Sequence, residues 1–171
     1  MDFAELSRAR YSLRKFSDRP LEKEKLDLIL EAGRCAPTAK NYQPQRIFVA
    51  NTPEALAKAD RCTECHFHAP VILIIGYDEK ISAKHTIGNF DFGMMDATIA
   101  ITQMMLQATD LGVGNICIGL FSPTKVHEEF PETKDTTLSS MLFLGYPAEN
   151  AKPAYLHDER IPIGDMVKVL G

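Results

Sequence analysis

The chain has 171 residues, 45% hydrophobic and 25% charged, a composition that builds a folded core and excludes a disordered chain. A formal net charge of −4 offers no basic field to a nucleic-acid backbone, and the longest apolar run, at 71–75, is far short of a membrane span. Four cysteines are too few for a disulfide scaffold, and the opening residues lack a basic stretch followed by an apolar one. The expectation is therefore reduced thiols in a cytoplasmic protein, one domain over residues 1–171.

The first segment, 2–10, carries Phe3 and Leu6 at helical spacing. Residues 11–16 are too basic and irregular for a core element. Pro20 reads as the first residue of a helix whose stripe is Leu26, Ile29, Leu30 and Gly33, and Pro37 stops it. Residues 36–44 form a polar loop between prolines. Residues 46–50 read as a strand, 53–59 as a short helix, and 71–75 as a strand buried on both faces. Residues 81–89 give no clear pattern.

The segment 91–111 is the most informative. On a helical wheel Asp96, Gln103, Gln107 and Asp110 share one narrow arc, and apolar residues and threonines cover nearly all the rest. Such a helix calls for protein almost all round it, including a partner subunit. Gly112 caps its end. A strand at 116–121, a helix opened by Ser122 and Pro123, a strand at 138–145 and a short helix at 163–170 complete the chain. Several connections are too short for parallel crossovers. The fold class is α+β, a mixed and largely antiparallel sheet flanked by helices.

Arg10, Ser12 and Arg14 alternate, so an extended backbone would aim all three to one side. Two guanidiniums flanking a hydroxyl suit a phosphate or another oxyanion, although a solvated basic face is the plainer reading of the same charges. The loop 37–44 holds Thr38, Asn41 and Gln43, whose polar groups suit the edge of a flat heterocycle. Gly112-Val113-Gly114 with Gly119 does not make a dinucleotide fingerprint, because these glycines precede a strand instead of joining strand to helix.

Together these stretches resemble the nitroreductase family. Arg10-Tyr11-Ser12-Leu13-Arg14-Lys15-Phe16 is similar to its N-terminal flavin-binding motif. The stretch from Pro37 to Pro44 resembles its proline-serine-x-x-asparagine-x-glutamine-proline loop, with Thr38 in place of serine. The long helix with the following glycines, Leu144-Gly145-Tyr146-Pro147 and Arg160-Ile161-Pro162 match its later signatures in order. The resemblance implies a homodimer with FMN at the interface, NAD(P)H as donor and a small acceptor such as a nitroaromatic or quinone. It implies that Arg10, Ser12 and Arg160 bind the phosphate end and ribityl chain, that Tyr11 also binds the cofactor, and that Arg14 lies near N1 and O2. Pro37, Thr38, Ala39 and Asn41 would come from the other subunit, and the backbone at Ile118 and Gly119 would donate toward N5 and O4. No catalytic side chain is implied, since the cofactor carries the chemistry. A flavin carrier or sensor with little turnover, or an enzyme for one specific metabolite, remains open.

Cys62-Thr63-Glu64-Cys65-His66 has haem-attachment spacing, but attachment accompanies export, which nothing here signals. A zinc site on Cys62, Cys65 and His66 or His68 is chemically sensible but lacks a second cysteine pair. Cys35 and Cys117 read as core thiols, and His85 and His127 as surface or packing residues.

Overall fold

A computed structural model describes residues 1–171. At its centre is a four-stranded sheet in the order β1-β2-β6-β5. These strands are β1 (Gln45–Ala50), β2 (Val71–Tyr77), β5 (Gly114–Ile118) and β6 (Thr137–Gly145), and every neighbouring pair is antiparallel. The one parallel pairing beside it is the isolated bridge of Ser12 to Asn115. This is the expected mixed, largely antiparallel α+β arrangement.

Both sheet faces are covered, which explains why β2 is buried along its whole length. Val71, Leu73 and Ile75 point to α2 (Lys23–Arg34) and α4 (Gly93–Asp110), where Ile29, Ile101, Met104 and Ala108 meet them. Ile72 and Ile74 point the other way, toward Ala59 of α3 (Pro53–Asp60) and Val126 of α5 (Pro123–Glu129). Burying one such side chain stabilises the fold by about 1.5–3 kcal/mol, so the two apolar layers set the fold.

Several sequence boundaries move. The helix after Pro20 starts at Lys23, because Glu22 turns out of the helix and uses its carboxylate on Arg19 and Tyr146. Pro20 is therefore not its first residue. The fifth strand runs 114–118 instead of 116–121, since Gly114 begins pairing with β6 and Phe121 bridges to Thr63. The C-terminal helix α6 is only Ile163–Met166. The unassigned segment 81–89 holds β3 (Lys84–His85), which forms a short hairpin with β4 (Phe90–Asp91). The exposed thiols of Cys35 and Cys117 correct their reading as core residues.

The long helix ends where expected, with Gly112 at φ +71°, a backbone state that glycine adopts freely. Its polar arc is not all outer face: Asp110 is exposed, and Gln103 and Gln107 are half-buried. Asp96 is buried at 2% exposure, while Met94 and Met95 lie open with Phe90 beside them. Within one chain the helix is covered on one side only. The exposed apolar residues continue in the C-terminal segment, where Val169 and Leu170 are more than nine-tenths exposed.

Candidate functional site

The helix α1 (Phe3–Ala9) stops at Arg10, whose backbone turns extended. The next residues run beside β5: the Leu13 N–H donates to the Asn115 carbonyl at 2.9 Å. Farther on, Ser17 N–H donates to the Tyr146 carbonyl at 2.8 Å, and Ala148 N–H to the Lys15 carbonyl at 3.0 Å. An extended segment presents alternate residues to opposite sides. Leu13 goes into the core, and Arg10, Ser12 and Arg14 line one cleft.

That cleft has a volume of roughly 220 Å³. Arg160 reaches it from the C-terminal segment, where its Nη1 donates to the carbonyls of His157 at 2.5 Å and Glu159 at 2.6 Å. Tyr11 also lines it, edge-on to the His157 ring at 6.0 Å between centroids. Arg14 Nη1 donates only to the Ser12 carbonyl, at 3.3 Å. None of the three arginines pairs with a carboxylate. Arg10 Nη1 is buried with no hydrogen-bond partner at all.

Three unneutralised guanidiniums around one hydroxyl form an anion site, and the orphaned Arg10 nitrogen needs an acceptor. Their planar donors match phosphate oxygens. The volume is below the roughly 300–1,000 Å³ of drug-sized ligand sites, so the cleft suits a phosphate end and the start of a chain. The residues fit a flavin mononucleotide's terminal group.

The loop 37–44 lies elsewhere. Thr38 accepts twice, its carbonyl from Asn41 N–H at 2.9 Å and its hydroxyl from Gln43 N–H at 3.1 Å. Ala39 N–H donates to Asp96 Oδ1 at 2.9 Å, which ties the loop to the first turn of α4. The arginine segment is tied to the last turns of the same helix, through Asn115 Nδ2 to the Met105 carbonyl at 3.1 Å. At about 1.5 Å rise per residue, Asp96 and Met105 are roughly 14 Å apart along the axis. Pro37, Thr38, Ala39 and Asn41 are thus absent from the arginine cleft.

Ile118 and Gly119 are absent from it too. Ile118 ends β5 and Gly119 follows it, about 10 and 13 Å along the chain direction from Asn115. Gly119 is exposed, and a Cβ there would meet nothing within 4 Å. The Thr63 hydroxyl fixes the turn by donating to the Leu120 carbonyl at 2.5 Å.

Residues singled out elsewhere have local partners. Burial raises the Cys62 thiol above its ordinary pKa, and its Sγ donates to the Lys58 carbonyl. His66 Nδ1 sits 3.0 Å from Asp60. No three His, Cys, Asp or Glu side chains are placed to hold a metal. His127 Nδ1 contacts the Thr133 hydroxyl at 2.9 Å. Sequence reasoning missed two residues. Asp96 was legible as a lone carboxylate in an apolar first turn, whereas nothing in the sequence marked His157.

The profile of the Nitroreductase family matches residues 7–63 and 57–146. The chain belongs to the nitroreductase family. A Methanothermobacter thermautotrophicus relative, provisionally named NADH dehydrogenase/NAD(P)H nitroreductase, is 32% identical, over 92% of this chain and 84% of its own. The FMN reductase [NAD(P)H] of Bacillus subtilis is 27% identical, over 88% of this chain and 68% of its own. A crystal structure of a nitroreductase family protein from Clostridium difficile 630 superposes with a TM-score of 0.91 at 31% identity, covering 98% of each chain. The nitroreductase fold accounts for the sheet with helices on both faces. It leaves the contents of the arginine cleft to its own chemistry.

Proposed function

We propose that this nitroreductase-family chain is an FMN-dependent oxidoreductase that takes hydride from NAD(P)H and passes electrons to a nitroaromatic, quinone or similar small acceptor. The observation that carries the reading is the cleft of Arg10, Ser12, Arg14 and Arg160, with no carboxylate partner and one orphaned guanidinium nitrogen. The names of the M. thermautotrophicus and B. subtilis relatives support the donor and the flavin.

FMN, when bound, supplies the hydride and electron chemistry. The protein's part is to bind, orient and tune. Arg10, Ser12 and Arg160 hold the phosphate and the ribityl chain, with Tyr11 and His157 closing the side of the cleft. Arg14 would bring positive charge to the N1 and O2 edge of bound FMN, where it would favour added electrons. With FMN bound, the backbone of Ile118 and Gly119 would donate toward N5 and O4, and the bare Cα of Gly119 would leave room for a ring.

One subunit does not complete this site, because the loop with Pro37, Thr38, Ala39 and Asn41 stands at the other end of α4. A second copy packed on the open face around Phe90, Met94 and Met95 brings its loop to the first copy's cleft. The functional unit is thus a homodimer with two interface sites. A single domain spanning 1–171 and a cytoplasmic location belong to the same reading. No helix is long and apolar enough to cross a membrane.

The test is the absorbance spectrum of freshly purified protein, followed by chromatography of the flavin released on denaturation. FMN is the expected product. Recovery of FAD would sink the phosphate assignment, and a colourless protein that takes up no FMN would sink the function.

A further inference from the structure

We propose that Asp96 is a positioning residue for the flavin site: it holds the loop 37–41 in its working conformation through Ala39. The inference rests on the FMN reading above and deepens it.

The loop is strained. Lys40, Asn41 and Gln43 have φ of 55°, 56° and 51°; these left-handed values cost Lys40 and Gln43 about 1–2 kcal/mol each, whereas asparagine tolerates them. Two of its hydrogen bonds start and end within the loop, at Thr38, and would move with it. The bond from Ala39 N–H to Asp96 Oδ1 reaches across 57 residues of chain to another element. It fixes the loop relative to α4, whose outer face carries Met94 and Met95. Asp96 therefore sets where the loop stands against whatever covers that face.

The carboxylate is suited to this task. Asp96 is the one acid in the first turn of α4, where the positive end of the helix dipole favours its charge. It is buried, and its second oxygen has no partner within the chain. A buried acceptor left half-used is expensive. The residue contributes nothing to the apolar core that Ala or Leu would not do better, so its use lies in the Ala39 bond.

The experiment measures FMN affinity by fluorescence titration, and amide exchange at Ala39 in flavin-free protein. The variants are Asp96→Ala, Asp96→Asn and, as a destabilising control on the opposite sheet face, Val126→Ala. Losing a bond to a charged acceptor should raise the FMN Kd about tenfold or more in D96A, with faster exchange at Ala39. D96N keeps an acceptor oxygen and should restore both to within about threefold. V126A should lower thermal stability and leave the Kd near that of the parent. Equal weakening in D96A and V126A, or an unchanged Kd in D96A despite faster exchange, overturns the inference while the FMN reading stands. So does an Ala39 amide in the parent that exchanges as fast as an unprotected one, a result that needs no folded variant. A parent that takes up no FMN overturns the functional reading and the inference with it.

Discussion

Leu13 occupies the space that a side chain on Gly114 would need. Its Cδ2 lies 2.3 Å from the position of a Cβ at Gly114, and Leu13 is 1% exposed. This contact locks the arginine-bearing segment onto β5, so that Arg10, Ser12 and Arg14 face outward together. Gly114→Ala should force Leu13 out of place and cost about 1–3 kcal/mol. Thermal melting should show a loss of roughly 2–4 °C per kcal/mol. FMN binding should weaken as well, and a variant with unchanged stability and affinity would show that Leu13 repacks freely.

Removing Arg10 or Arg160 tests the anion cleft directly. Each alanine variant should lose roughly 1.5–3 kcal/mol of FMN binding if each guanidinium makes a charge-assisted bond. Arg10→Lys should recover only part of this, because an ammonium lacks the planar fork. Titration of flavin-free protein with FMN and with riboflavin locates the effect. The loss should appear with FMN and be small with riboflavin, which has no phosphate.

The open face of α4 should be a subunit interface. Met95 is 48% exposed and stands beside Met94 and Phe90. Met95→Glu places a charge where dimerisation would strip its water, a penalty of several kcal/mol. Analytical ultracentrifugation should find a dimer for the parent and a monomer with little FMN for the variant. A monomeric parent that retains full flavin content would refute the shared site.

Acid should unfold the chain partly through Glu22. The Tyr146 hydroxyl donates to its carboxylate, and with further help from the Glu22 backbone and Arg19 this holds the acid at about 2, below its ordinary 4.5. A depressed folded pKa means stability that is complete above the unfolded value and lost as pH falls through the folded one. Tyr146→Phe removes the largest cause while keeping a ring under Arg19. The stability gap between parent and variant should be full at neutral pH and shrink as pH drops from about 4.5 toward about 2. Urea unfolding across that range measures it, and a gap that does not change with pH would remove Glu22 from the account.

Donor and acceptor should use one site in turn, since one face of one bound flavin would serve both. Initial rates over a grid of NAD(P)H and quinone concentrations should therefore give parallel double-reciprocal lines. Intersecting lines would mean that both substrates bind together.

The sequence by itself determined the layers, the motif order and the local chemistry of the arginine segment. Those features depend on short-range periodicity: β-branched residues at 71–75 make a buried strand, and alternation at 10, 12 and 14 aims three groups one way. Helix caps such as Ser122 and Gly112 are equally local and were equally legible. Only the tertiary structure decided what depends on contacts distant in sequence. Asp96 looked like part of one polar arc on the wheel, yet the backbone of Ala39, 57 residues earlier, takes its carboxylate inward. Pro20 looked like a helix start until the Tyr146 hydroxyl claimed Glu22. His157 joined the cleft because the segment after β6 folds back over Tyr11, a path no periodic pattern encodes. The same contacts put the arginine cleft and the loop at opposite ends of α4.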